Sequence, residues 1–149
     1  MTMKRGQYEY LEDIATSDVA FRATGKTIAE MLMAAADATL EVMLTEPSSL
    51  QPRVTREITV SAANEEMLLF NLLEELIYLK DAEQVLLRVD AIDVQRKPPG
   101  GYQAVALCVG DRIDAEKYTL GVDVKAVTMH LFSVAHTDAG WESQVILDI

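Results

Sequence analysis

The sequence predicts an α+β sandwich in which two main helices pack on largely antiparallel sheet. Three observations carry that expectation. Two segments, 27–43 and 65–80, repeat apolar residues at helical spacing. From Val85 onward, runs of alternating apolar and polar residues dominate. Those later runs are separated by turn-forming residues, so they read as consecutive hairpins with the helices lying on one face of the sheet.

Taken in order, Tyr8 to Leu11 and Val19 to Ala23 read as short strands on either side of the acidic stretch Glu12-Asp13. Gly25-Lys26 turns the chain, and Thr27 with Glu30 has capping-box spacing. The helix opened there, Thr27 to Met43, puts Ile28, Met31, Leu32, Ala35, Thr39, Val42 and Met43 on one face. Methionines in such a stripe fill gaps in a core more often than they form a binding surface. Pro47-Ser48-Ser49 interrupts the chain, and Val54 to Ser61 alternates as a strand. Asn64 can cap a second helix, Glu65 to Lys80, whose early acids Glu65 and Glu66 suit the positive end of the helix dipole. Its apolar residues cover most of its circumference, which predicts packing on more than one side. Val85 to Val94 and Tyr102 to Val109 form a hairpin across 95–101, and a charged loop spans Gly110 to Asp123. Val124 to Ala135 and Trp141 to Ile149 form a second hairpin across 136–140.

With 149 residues, 50% apolar and 25% charged, the chain has the balance of one soluble domain spanning 1–149. Such a length buries about two-thirds of the unfolded surface without disulfides. No stretch is long and apolar enough to span a bilayer, and Lys4-Arg5 is followed by no apolar segment of a signal peptide. One cysteine, Cys108, rules out an internal disulfide and fits a reducing, cytoplasmic setting. Its place in a strand makes it a packing residue before a nucleophile. Thirteen basic residues against twenty-four acidic ones give a net charge of −11, and no basic cluster exceeds Arg96-Lys97. A surface of that sign repels nucleic acid, so any role in RNA chemistry runs through a protein partner or a cation.

Few residues are left to carry chemistry. His130 and His136 with one cysteine lack the close spacing of zinc ligands. A nucleophile-elbow sequence is absent, and Gly100-Gly101 follows two prolines instead of opening a helix, so it does not cradle phosphate. His130, mid-strand between Met129 and Leu131, is more often a structural histidine than an acid or base. The carboxylates remain: Asp13 and Asp18 at the first strand joint, Glu74 and Glu75 on an apolar helix, Asp111 and Asp114 in the charged loop, and Asp148. A strand built in as far as Ile149 would hold its α-carboxylate about 3.3 Å along from Asp148. Two anchored anionic groups make half of a hard-cation site. The plainer alternative is that Leu147 and Ile149 fill the core and Asp148 faces water.

Four segments carry a resemblance. Asp18-Val19-Ala20-Phe21 followed by Gly25-Lys26-Thr27, the helix Leu68 to Tyr78, the strand Lys125-Ala126-Val127-Thr128-Met129-His130, and Val145-Ile146-Leu147-Asp148-Ile149 together resemble the archease family from Tyr8 to Ile149. The last two are the more specific. The resemblance implies a non-enzymatic protein cofactor of RtcB-type RNA ligases, which join 2′,3′-cyclic phosphate or 3′-phosphate ends to 5′-hydroxyls using GTP and manganese. Family members promote guanylylation of the ligase and restore its turnover. They bind a divalent cation through residues that here are Asp18, Asp148 and the main chain of Ile149, with calcium the first candidate, then magnesium or manganese. The sequence departs from the family where Ile14-Ala15-Thr16-Ser17 replaces a stretch that commonly carries histidine, leaving Asp13 as a competitor of Asp18. Asp111 stands in place of glutamate, and Tyr118 in place of histidine. A metal-dependent hydrolase using the same carboxylates and a chaperone-like modulator of RNA-processing proteins are the alternatives.

Overall fold

A computed structural model describes residues 3–12 and 18–149. The elements run β1 (Gln7–Leu11), β2 (Val19–Gly25), α1 (Ile28–Met43), a 3-10 turn at Pro47–Ser49, β3 (Val54–Ala62), α2 (Glu65–Glu83), β4 (Val85–Arg96), β5 (Tyr102–Arg112), β6 (Ala126–Thr137) and β7 (Gly140–Asp148). The expected α+β sandwich is present, and every strand pairing is antiparallel. The strands divide into two sheets, ordered β1-β2-β7-β6 and β3-β5-β4. Both helices touch both sheets, where the sequence suggested helices on one face of one sheet.

That placement explains the burial of α1. The Thr27 hydroxyl accepts the Glu30 N–H at 3.1 Å, and the Glu30 carboxylate reaches back to the Lys26 N–H at 3.3 Å, so the capping signal works as expected. Apolar spacing predicted one buried face, yet Met31 through Ala36 are all buried. The alanines at 34–36 supply the reason, because small side chains let sheets approach the helix on several sides. Met31 and Met43 lie within this core as filler. The second helix starts at its Asn64 cap, which accepts the Met67 N–H at 2.9 Å. It runs past Lys80 to Glu83, because Asp81-Ala82-Glu83 carries no breaker, and closes on Gln84 in the left-handed region at φ 56°. Its packing against β3, β4, β5, β6 and α1 fits its nearly all-round apolar surface.

The main departure lies in β6, the edge strand. Thr128 pairs with Ile146 and Ser133 with Gln144, so Met129 to Phe132 stands opposite Val145 alone. The segment bulges: Leu131 takes φ 55°, and its carbonyl accepts from the Gln144 amide at 3.0 Å. His130, expected within a regular strand, sits exposed on this bulge. Alternation could not reveal it, because an inserted turn of this size leaves the apolar pattern on either side intact. The β6–β7 turn closes at Gly140, whose φ of 129° favours glycine.

Candidate metal centre

β7 lies between β2 and β6 in the four-stranded sheet. Val19 pairs with Leu147, and Ala126 pairs with Asp148. One step beyond Val19, Asp18 therefore comes level with Asp148 across the strand pair. Residues directly opposite on antiparallel strands have Cβ atoms on the order of 5 Å apart, on one face of the sheet. The main chain at this level is tied down, because the Lys125 N–H donates to the Asp148 carbonyl at 2.8 Å. Leu147 is fully buried, Ile149 is half-buried against the core, and the Asp148 side chain is exposed. Asp18 and Asp148 thus each stand one residue beyond the Val19–Leu147 pair that ends the β2–β7 ladder, with Ile149 adjoining. Asp13 lies outside the described residues.

Several other acids are already committed. Asp37 holds Arg5 in a bidentate pair at 2.6 and 2.7 Å, Asp111 holds Lys117 at 2.6 Å, and Asp123 and Asp81 share Lys80. Glu74 accepts the Val127 N–H at 2.9 Å, and Asp114 accepts the Glu116 N–H at 2.9 Å. Among the described residues, neither Asp18 nor Asp148 is ion-paired. On the same face, diagonal to Asp148 through the Thr128–Ile146 pair, the Thr128 hydroxyl is buried without a hydrogen-bond partner. The chemistry of these groups, two carboxylates without an ion pair among the described residues, the Ile149 main chain and an orphaned hydroxyl, is all oxygen and suits a hard divalent cation. Among the described residues no three His, Cys, Asp or Glu side chains converge on one point. A cation here would thus keep water, or oxygen from a partner, in its remaining positions.

The substituted loop positions form a staple. Asp111 is buried and accepts from the Lys117 ammonium and the Tyr118 hydroxyl, each at 2.6 Å, while the Gln51 N–H donates to the Tyr118 oxygen at 3.2 Å. The hydrogen bond from Lys117, then that from Tyr118, hold the Asp111 carboxyl down from 3.8 to about 2. A depressed carboxylate contributes stability that is complete above its unfolded value and is lost as pH falls through its folded one. Here that window runs from 3.8 down to about 2. Asp111→Asn is expected to melt lower than the parent at neutral pH and to show a shallower loss of Tm across that window, measured by circular dichroism. Cys108 is fully buried, and burial pushes its thiol up to about 12, in keeping with a packing role.

Sequence reasoning overlooked the buried Lys80 and the backbone role of Glu74. A signal existed for the first: Lys80 falls three and four residues after Ile77 and Leu76, on a face otherwise apolar.

The architecture defines the class first: an α+β domain of the kind seen in solved archease structures. The chain superposes on the solution structure of Methanobacterium thermoautotrophicum protein 1598 with a TM-score of 0.82 at 26% identity, covering 95% of this chain and 98% of that one. It also shares its fold with an archease from Thermotoga maritima, described as a possible chaperone, at a TM-score of 0.61 and 17% identity over 95% and 98% of the two chains. The family model for the archease protein family matches residues 8–149. Archeases of Methanosarcina barkeri (32% identical over 100% of both chains) and Pyrobaculum neutrophilum (35% identical over 98% of this chain and 97% of that one) are among its relatives. The chain belongs to the archease protein family. No helix among the described residues is long and apolar enough to cross a membrane.

Proposed function

We propose that this protein is a non-enzymatic activator of an RtcB-type RNA ligase, acting in the cytoplasm through a divalent cation held by Asp18, Asp148 and the main chain of Ile149. The observation that most supports this reading is the register of β2, β7 and β6, which levels the two uncommitted acids with each other. The partner class is the one the resemblance to archeases implies, and membership in that family supports it. The net charge of −11 supports contact with the ligase and its metals, not with RNA directly. Oxygen donors favour calcium, magnesium or manganese over thiophilic metals. When bound, the cation supplies a localised positive charge that a ligase active site can recognise. The chain's own residues hold that charge at a fixed height: β6 and β2 flank Asp148, and the core anchors Ile149. A chaperone-like role draws only on the name of the Thermotoga relative.

The reading is tested by RNA ligation at limiting ligase, with and without this protein. The expected result is multiple turnover only when the protein is present, and neither ligation nor cleavage by the protein alone. Ligation unaffected by its addition, or tight and salt-sensitive RNA binding by the isolated chain, would overturn it.

A further inference from the structure

We infer that Glu74 and Lys80, both on α2, are positioning residues for the Asp148 end of the site: they clamp the segment 123–127 that fixes the height of Asp148. The inference rests on the cation reading proposed above. Lys80 is buried, yet its ammonium donates to the Asp123 carboxylate at 2.5 Å and to the Val124 carbonyl at 2.7 Å. Two turns earlier on α2, the Glu74 carboxylate accepts the Val127 N–H at 2.9 Å. Between these two fastenings, the Lys125 N–H donates to the Asp148 carbonyl at 2.8 Å, and Ala126 and Val127 pair with Asp148 and Leu147.

The clamp answers a mechanical need. β6 is an edge strand, so among the described residues β7 is the only strand beside it, and it is interrupted by the bulge directly after Thr128. A short strand end with a bulge behind it would fray if paired only to β7. α2 supplies the second support, because its packing on several elements makes it a rigid reference. Outer partners that orient metal ligands typically change affinity about 10–100-fold when removed.

Charge and geometry make opposite predictions at Lys80, which separates positioning from electrostatics. Removing a positive charge from the protein would, by Coulomb attraction alone, leave cation binding unchanged or stronger. Loss of the clamp weakens it. Lys80→Met suits the site, since Met43, Leu86, Ile113 and Leu120 line the same cavity as Lys80, and Asp123 is free to turn to water. Asp81 and Asp123 are both well exposed, so removing the lysine leaves no buried charge unpaired. At Glu74 the pair Glu74→Gln and Glu74→Ala makes the same separation: glutamine keeps an oxygen acceptor for the Val127 N–H without the charge, and alanine keeps neither.

The experiment titrates Mn²⁺ calorimetrically into the full chain and measures amide exchange at Lys125 and Val127 in the metal-free protein. Lys80→Met and Glu74→Ala are expected to weaken Mn²⁺ binding about tenfold or more, with faster exchange at those amides and a folded far-ultraviolet spectrum. Glu74→Gln is expected to stay close to the parent in both. Unchanged or stronger binding in Lys80→Met, or weaker binding without faster exchange, would overturn the clamp. If Asp18→Ala binds Mn²⁺ as the parent does, the cation reading itself has failed. If Asp18→Ala loses binding while both clamp variants keep it, only the clamp has failed.

Discussion

Asp18→Ala is expected to abolish tight cation binding while leaving the fold intact, since it removes a ligand outright and should cost at least the roughly 10–100-fold typical of a group that only orients a ligand. Deleting Ile149 removes its main-chain oxygen together with a side chain half-buried against the core, so it should weaken cation binding and also lower Tm. Asp13→Ala should change binding much less. A bound cation stabilises the native state by about 2.7 kcal/mol when its concentration is 100 times the Kd. The parent should therefore melt higher with added Ca²⁺ or Mn²⁺, and Asp18→Ala should not. Equal shifts in the two would remove Asp18 from the site.

Leu72→Asp is expected to unfold the protein. Leu72 is fully buried on α2, within the core shared by both sheets. Losing a fully buried leucine side chain forfeits roughly 1.5–3 kcal/mol of transfer free energy. An unpaired carboxylate in its place adds a desolvation cost of several kcal/mol, which the group can lower only by taking up a proton. Together these approach the total stability of an ordinary domain, about 5–15 kcal/mol. Far-ultraviolet circular dichroism at 25 °C with a thermal scan checks it, and a cooperative melt near that of the parent would contradict the packing of α2. The same substitution at the exposed Tyr78 should be tolerated.

Periodicity located both helices and all seven strands, with ends shifted by up to three residues. It worked because apolar spacing and the Thr27 and Asn64 caps are local signals. The division into two sheets was illegible, because which strands pair is decided by contacts far apart in the chain. The β6 bulge was illegible for a different reason: Met129, His130, Leu131 and Phe132 continue the composition of a strand while their backbone leaves it. Asp18 and Asp148 were singled out as ligand candidates by family resemblance, and alternation alone left Asp148 as an ordinary exposed acid. Their common level became visible only with the β2–β7 register. Lys80 shows the limit of charge-based expectation, since a lysine is rarely buried unless something holds its ammonium. Asp81 is next to it in sequence, but its other partners, Asp123 and Val124, lie more than forty residues away.

The most direct test of the account is guanylylation of an RtcB-type ligase by labelled GTP, at limiting ligase and fixed manganese, with the parent protein or its Asp18→Ala variant added. The account predicts that the parent restores repeated guanylylation and that Asp18→Ala, though folded, leaves the ligase at a single round. Equal stimulation by the two proteins, or none by either, would contradict it.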